Sequence, residues 1–232
     1  MAVELNKIYK KYKSQVIFND FSLSFPENQI TCILGPSGCG KTTLLNIISR
    51  TEAVDKGIIT GIDLDKVSYI FQETRILPWK STVENIDLVL KGLSGEECRQ
   101  LSLKYLKLVG LEEAAYKYPH QLSGGMKQRV SIARAFAYPS DVILMDEPFK
   151  GLDIITKQNI LNAFKNIWNE DKRTVIYVTH DVDEAFLLCD HLVIFSNLPV
   201  KVIKQFKRAD IDKDKDAVKN EIAMALNKKA GE

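Results

Sequence analysis

The sequence predicts an α/β protein with a mixed, mainly parallel sheet, an N-terminal antiparallel β part and a helical insert. Several short, nearly continuous apolar runs are typical of parallel strands that helices cover on both faces. An early segment instead alternates apolar and polar residues, as a strand with one exposed face does. Near the middle of the chain the strand signal disappears and two helix-capping patterns replace it, which indicates a helical insert.

The antiparallel part comes first along the chain. Phe21, Leu23 and Phe25 lie on one side of an extended segment, because side chains two residues apart point to the same face of a strand. A strand with one buried face suits an antiparallel sheet that is solvated on its other side. We therefore predict an antiparallel strand here.

The parallel strands are predicted from continuous apolar runs. These runs lie at 30–34, 142–145, 175–178 and 192–195. A helix before the third of them carries an apolar stripe at positions i, i+1, i+4, i+7 and i+8, formed by Ile160, Leu161, Phe164, Ile167 and Trp168. Such a stripe is expected to pack against the sheet.

The helical insert is predicted to span residues 81–137. Ser81 with Glu84 and Ser94 with Glu97 have the spacing of a capping box, in which both side chains bond backbone N–H groups at a helix start. Two helices are therefore expected to begin at these serines.

One domain with three parts is the predicted organisation. Residues 1–80 and 138–205 form its core, 81–137 the helical subdomain and 206–232 a helical tail. In the tail, Val218, Ile222 and Leu226 are spaced four apart, which predicts a short amphipathic helix over 216–226. The charged stretch 204–215 before it is interpreted as a solvated connection.

Composition restricts the functional classes. The 232 residues are 45% hydrophobic and 27% charged with a net charge of +2, so nucleic acid is not an expected ligand. The first residues, 1–7, include an acidic side chain and no long apolar run, so they are not expected to form a secretory signal. No stretch approaches the ~18 apolar residues of a membrane span. The four cysteines are far apart, which favours reduced thiols in the cytoplasm.

A phosphate-binding loop is the clearest motif. Its residues are Gly35, Pro36, Ser37, Gly38, Cys39, Gly40, Lys41 and Thr42, which match GxxxxGK[ST] between a predicted strand and a predicted helix. Backbone N–H groups and the helix dipole would hold a phosphate, Lys41 would reach the β- and γ-phosphates, and Thr42 would bind Mg²⁺. Thr43, the next residue, joins the predicted nucleotide-binding set, and Cys39 is expected to fill space. ATP and Mg²⁺ are the expected cofactors.

Acidic and histidine side chains follow two other apolar runs. Asp146 and Glu147 come directly after the run at 142–145, at the sheet edge where ligands of open α/β folds bind. Asp146 fits a Mg²⁺ ligand, and Glu147 is suited to orient or deprotonate the attacking water. His180 follows the run at 175–178 in the same way and is expected to face the γ-phosphate.

These elements are shared by many P-loop NTPases with a RecA-like core, and one further segment narrows the choice. Leu122-Ser123-Gly124-Gly125-Met126-Lys127-Gln128-Arg129 resembles the LSGGQxQR signature of the ATP-binding cassette (ABC) family, with Met126 at a position that is usually glutamine. A Ser-Gly-Gly turn at a helix start is also a physical anion site.

The resemblance covers nearly the whole chain and implies further roles. Gln72 is similar to the glutamine that contacts Mg²⁺ and the catalytic site, Asp153 lies in the counterpart of the D-loop, and His180 matches the switch histidine. Tyr12 would stack on adenine, with Tyr9 as a competitor. The family implies a homodimer in which each ATP lies between the Lys41 loop of one copy and the Ser123, Gly124 and Gly125 turn of the other.

The sequence departs from the family pattern at a few positions. Lys150 stands where a small residue is common, and Asn28-Gln29 replaces a frequent Gly-Glu turn. We expect neither departure to touch an assigned catalytic atom.

The segment from Gln72 to Trp79 resembles that of importer ATPases of the nitrate, sulfonate and taurine group. The resemblance implies a contact with a transmembrane permease here, with Trp79 either an exposed anchor or packed within the helical insert. It also implies a peripheral position at the cytoplasmic face of the membrane and an extracytoplasmic solute-binding protein. An exporter, a lipoprotein-release system or a non-transport ABC ATPase are the alternatives, and the solute is not predicted.

Overall fold

The computed structural model describes residues 2–90 and 92–227. Met1 of the N-terminal segment and residues 228–232 of the predicted tail therefore lie outside the described residues. The chain forms two compact units, the first combining Met1–Val67 with Thr174–Glu232 and the second comprising Ser68–Arg173. The predicted helical subdomain, 81–137, lies within the second unit. That these residues form a subdomain of their own stays a prediction.

The first unit begins with an antiparallel sheet. Its strands are β1 (Val3–Tyr12), β2 (Gln15–Phe25) and β4 (Lys56–Thr60), in the order β2-β1-β4. Phe21, Leu23 and Phe25 of β2 are buried and the two serines between them are exposed, so the predicted alternation is confirmed.

The first unit also contains a run of adjacent strands that is mainly parallel. These are β3 (Ile30–Leu34), β7 (Thr174–Val178), β8 (His191–Phe195) and β9 (Val202–Lys207), in the order β7-β3-β8-β9. β3 pairs with β7 and β8 in parallel, whereas β9 is antiparallel to β8. Two helices of this unit are α1 (Lys41–Ile48) and α6 (Val182–Leu188).

The end of the described chain corrects one prediction. The stretch 204–215 is not a solvated connection, because it completes β9 and forms α7 (Arg208–Lys213). The predicted amphipathic helix is present as α8 (Lys215–Asn227), with Val218 and Ile222 buried.

The described part of the second unit contains two neighbouring strands and four α-helices. β5 (Val67–Ile70), which starts at the unit boundary, lies next to β6 (Val142–Asp146). The helices are α2 (Thr82–Asp87), α3 (Gly95–Leu108), α4 (Gly124–Ala137) and α5 (Ile154–Glu170). The predicted apolar stripe of α5 is buried throughout, and Phe164 meets Phe136 of α4 edge to face with ring centroids 5.7 Å apart.

Both predicted capping boxes start a helix of this unit. The backbone N–H of Ser81 donates to the Glu84 carboxylate at 2.7 Å, and that of Ser94 donates to Glu97 at 3.1 Å. Across residues 2–90 and 92–227, none of the helices has the length and apolar character that a membrane span requires.

Candidate nucleotide site

The predicted phosphate loop connects β3 to α1 in the first unit. Gly38 and Gly40 have φ angles of 75° and 105°, in the left-handed region that glycine adopts without strain. The ammonium of Lys41 is buried in the loop and donates to the backbone oxygens of Gly35 and Pro36 at 2.8 and 2.9 Å. The loop thus brings a cation and the start of an eight-residue helix to one place, which fits a phosphate.

Glycine is also required in this loop for close packing. A Cβ atom at Gly40 would lie 2.7 Å from Cγ2 of Ile17, and one at Gly35 would lie 3.0 Å from Sγ of Cys39. Cys39 is buried, and burial raises the pKa of its thiol while the Lys41 cation opposes the rise. The thiol therefore fills space in the loop, as its size suggested.

Tyr12 lies at the end of β1 and contacts the residues around α1. Its side chain is 41% exposed, its hydroxyl donates to the Glu52 carboxylate, and the Lys10 ammonium lies 5.1 Å from its ring centroid. Burial and Glu52 raise the pKa of the Tyr12 phenol, and a hydrogen bond with Thr43 of α1 opposes them. Tyr9 pairs across the sheet with Lys56 of β4 and has no such contact with α1 in the described part of the chain. The geometry favours Tyr12 over Tyr9 as the residue beside a nucleotide.

His180 lies at the same sheet edge as the phosphate loop. Its strand, β7, is parallel to β3, and the backbone N–H of Thr179 donates to the oxygen of Ile33 at 3.2 Å. Glu184 of α6 is buried and accepts hydrogen bonds from Thr179, at 2.7 Å, and from Tyr177. This network fixes the turn that carries His180, whose side chain is exposed.

The second unit carries the two predicted carboxylates at the end of β6. Asp146 accepts a hydrogen bond from Tyr69 of β5, and burial together with the Asp146 carboxylate raises the pKa of that phenol. Sequence reasoning missed Tyr69, for which the sequence gives no signal beyond its place in a strand beside the predicted one.

Glu147 makes a contact that contradicts an expectation. Lys150 was not expected to touch a catalytic atom, but its ammonium lies 2.8 Å from Oε2 of Glu147. The hydrogen bond and charge of Glu147 raise the pKa of Lys150. The expectation failed because the two residues are three apart in a tight turn, which the apolar pattern does not reveal.

The signature segment begins α4. Ser123 is the N-cap residue, and its hydroxyl accepts a hydrogen bond from the backbone N–H of Met126 at 3.2 Å. Ser123 and Gly124 are exposed, whereas a Cβ atom at Gly125 would lie 2.5 Å from Cγ2 of Thr156 on α5. The glycines therefore leave this helix start open and allow α4 and α5 to approach closely.

Asp153 begins α5 beside an exposed apolar pair. Its carboxylate accepts from the backbone N–H of Thr156 at 2.9 Å, and this hydrogen bonding lowers the pKa of Asp153. The next two residues, Ile154 and Ile155, are 85% and 75% exposed. Large apolar side chains exposed together often mark a protein interface, and sequence reasoning did not single them out.

Gln72 is exposed at the start of the segment that ends at Trp79. Arg134 of α4 anchors this segment through hydrogen bonds to the backbone oxygens of Thr74, at 3.2 Å, and Arg75, at 3.0 Å. Burial lowers the pKa of Arg134.

A buried asparagine holds the turn that carries Trp79. The amide of Asn85 donates to the oxygens of Leu77, Lys80 and Ser81 and accepts from the N–H of Leu77. Trp79 itself is 70% exposed, so the alternative that placed it inside the helical insert is wrong.

Comparisons with known proteins identify the family. The family model described as ABC transporter matches residues 18–150. The nitrate import ATP-binding protein NrtD of Synechococcus elongatus is 41% identical, over 87% of this chain and 77% of its own length. The bicarbonate transport ATP-binding protein CmpD of the same species is 36% identical, over 91% and 80%, and the taurine import ATP-binding protein TauB of Yersinia pestis is 37% identical, over 88% and 83%.

Solved structures share the fold. A bacterial ABC transporter cassette solved as a dimer superposes with a TM-score of 0.76 at 32% identity, over 89% of this chain and 98% of that one. The same cassette in a post-hydrolysis state with ADP and phosphate gives a TM-score of 0.74. The predicted α/β fold with a P-loop NTPase core is confirmed.

Proposed function

The chain belongs to the ABC transporter family and is an ATP hydrolase of that family, and on this premise we propose that it powers a solute importer. It would dimerise on ATP and drive uptake of a small solute through a separate membrane permease. One observation carries the proposal: the chain has two open helix starts suited to anions, the Lys41 loop and the Ser123 turn. A triphosphate bound by one copy alone would need only the Lys41 loop, whereas a dimer uses both the loop and the Ser123 turn.

The Lys41 loop holds the triphosphate in this proposal. Lys41 exchanges its bonds to loop carbonyls for bonds to the β- and γ-phosphates, and Tyr12 stacks on adenine. Thr42, exposed in the first turn of α1, and Asp146, at the end of β6, supply oxygen ligands that suit Mg²⁺, with Gln72 as a third. When bound, Mg²⁺ neutralises phosphate charge during transfer.

Hydrolysis needs a positioned water. Glu147, whose side chain is mostly shielded from solvent, accepts a hydrogen bond from the water and aligns it for attack on the γ-phosphate. His180 donates to the γ-phosphate from the end of β7, and Gln72 links the site to the segment that carries Trp79.

Two copies would complete each other's site. The N–H groups of Gly124 and Gly125 and the hydroxyl of Ser123 in one copy contact the triphosphate held by the other. The exposed Ile154 and Ile155, next to Asp153, support an interface at this end of α5. Hydrolysis replaces one bridging anion with two products and so weakens the dimer, which converts chemistry into motion.

The permease contact is placed at the segment from Gln72 to Trp79. Trp79 offers an exposed aromatic anchor on a turn that Asn85 holds rigid, which suits a docking site. The names of the relatives point to small solutes such as nitrate, bicarbonate or taurine. In this proposal an extracytoplasmic binding protein delivers the solute. The chain would then lie at the cytoplasmic face of the membrane.

The Glu147→Gln variant tests this function. It should bind ATP with normal affinity, lose at least about 100-fold in hydrolysis rate because the water acceptor is weakened, and accumulate as an ATP-bound dimer on size-exclusion chromatography. Cells that carry only this variant should lose uptake of labelled nitrate, bicarbonate or taurine. Full ATPase activity would remove Glu147 from its role, and undiminished uptake of all three solutes would contradict their import by this protein.

A further inference from the structure

The turn after β6 is closed by Lys150 in two ways. The backbone N–H of Lys150 donates to the backbone oxygen of Glu147 at 3.2 Å, and the Lys150 ammonium contacts Oε2 of the same residue at 2.8 Å. Both the main chain and the side chain of Glu147 are therefore restrained by one residue three positions later.

Glu147 needs such a restraint more than an ordinary surface glutamate does. Its φ angle is 43°, in the left-handed region that a residue with a Cβ atom rarely adopts. Its side chain is only 17% exposed, and a charged group that has lost most of its water requires a charged or polar partner. Lys150, which is 50% exposed, can supply that partner while its own ammonium stays hydrated.

We propose that Lys150 is a positioning residue that holds the Glu147 carboxylate in the orientation that aligns the attacking water. The proposal rests on the role given to Glu147 above. With Oε2 held 2.8 Å from the ammonium, the Glu147 side chain is restrained in one orientation. Lys150 itself touches no reacting atom.

The expected size of the effect follows from the exposure of the pair. An ion pair with one half-exposed partner is weakened by solvent, so the restraint is modest compared with the carboxylate itself. We expect its loss to slow hydrolysis of bound ATP about threefold to tenfold. ATP affinity should not change, because Lys150 acts on the water and not on the nucleotide.

Two substitutions at this position test the proposal in the purified full-length protein. Lys150→Met keeps the aliphatic stem and removes the charge, so the single-turnover rate of hydrolysis of pre-bound ATP with Mg²⁺ should fall while the Kd for ATP stays the same. Lys150→Arg, which can still bond the carboxylate, should restore most of the rate. Lys165→Met removes the same charge from an exposed position of α5 and should leave the rate unchanged.

The outcomes separate this proposal from the function on which it rests. If Glu147→Gln is inactive but Lys150→Met hydrolyses at the normal or a faster rate, the positioning role is wrong and the proposed function stands. If Glu147→Gln is fully active, the catalytic role of Glu147 fails first. In the Glu147→Gln background, Lys150→Met should leave ATP-driven dimerisation unaltered, and weaker dimerisation there would show that Lys150 acts at the interface, against the proposal.

Discussion

At the scale of single residues, the burial and hydrogen bonds of Lys41 bear most directly on phosphate binding. Its ammonium is buried, and the two backbone oxygens that it bonds are carbonyls of the phosphate loop itself. The hydrogen-bond acceptors of this cation within the described residues are neutral carbonyls, so a triphosphate is a stronger partner for it than the loop is.

We predict that Lys41→Ala lowers the affinity for ATP by about tenfold or more, because a charge-assisted contact with the phosphates is lost. Isothermal titration calorimetry with ATP measures the Kd directly. Lys56→Ala, which removes an exposed lysine of β4 in the same unit, is the matched control and should bind normally. An unchanged Kd in Lys41→Ala would contradict the phosphate-loop assignment.

Single residues also mark the limit of what sequence predicts at the site. The positions from Gly35 to Thr42 were predictable because glycines and a lysine at fixed spacing satisfy one backbone geometry. The contact between Lys150 and Glu147 was not predictable, since it depends on the positive φ of Glu147. The preference for Tyr12 over Tyr9 likewise depends on the approach of β1 to Thr43 of α1, which is a tertiary contact.

At the scale of elements, the segment between Gln72 and Trp79 owes its shape to two side chains from helices. Asn85 of α2 makes two hydrogen bonds to Leu77 and two to the backbone oxygens of Lys80 and Ser81 just after the segment. Arg134 of α4 donates to two backbone oxygens within the segment. α4 begins at Ser123, so one helix connects the signature turn to the base of this segment.

We predict that Asn85→Asp destabilises the protein by about 2–4 kcal/mol, because a carboxylate cannot donate to the three backbone oxygens and would be buried with its charge. Equilibrium unfolding in urea measures the change in the free energy of unfolding. Asn159→Asp, at an exposed position of α5, makes the same substitution outside any such network and should cost little. Equal stability of the two variants would sink the assignment of Asn85.

Arg134→Met should loosen the segment without unfolding α4. The backbone oxygens of Thr74 and Arg75 lose their donors, so hydrogen exchange in peptides that cover 72–79 should become faster, by mass spectrometry. ATP binding by the isolated protein should persist, whereas stimulation of its ATPase activity by the permease should fall. Exchange in 72–79 at the normal rate would mean that Arg134 does not anchor the segment.

Elements were predictable where one physical pattern dominates. The buried strands β3 and β7 follow directly from continuous apolar runs. The buried stripe of α5 follows from apolar residues at helical spacing. β9 was missed because Phe206 is its one buried residue, and charged or polar side chains are common on strands with a solvated face. Its pairing with β8 is set by the neighbouring strand and not by its own composition.

At the scale of the whole molecule, each nucleotide in the proposed dimer is bound by residues of both copies. One copy supplies the Lys41 loop and the other supplies the Ser123 turn, so each of the two ATP sites draws on both chains. A defect in the loop and a defect in the turn therefore strike the same site only when they lie on different chains.

This geometry gives a prediction for mixed dimers. Two copies with different affinity tags are co-expressed, and the heterodimer is purified through both tags and assayed for ATP hydrolysis. With Lys41→Ala on one copy and Ser123→Arg on the other, both defects fall in one site and the second site stays intact. With both substitutions on the same copy and the other copy unaltered, each site carries one defect.

We expect measurable hydrolysis in the first arrangement and at least about tenfold less in the second, because arginine at the exposed Ser123 position blocks the helix start. A faster rate in the second arrangement would show that each ATP is bound and hydrolysed within a single chain, and equal rates would show that the Ser123 turn takes no part in hydrolysis. In either case the proposed coupling of hydrolysis to dimer opening would have no physical basis.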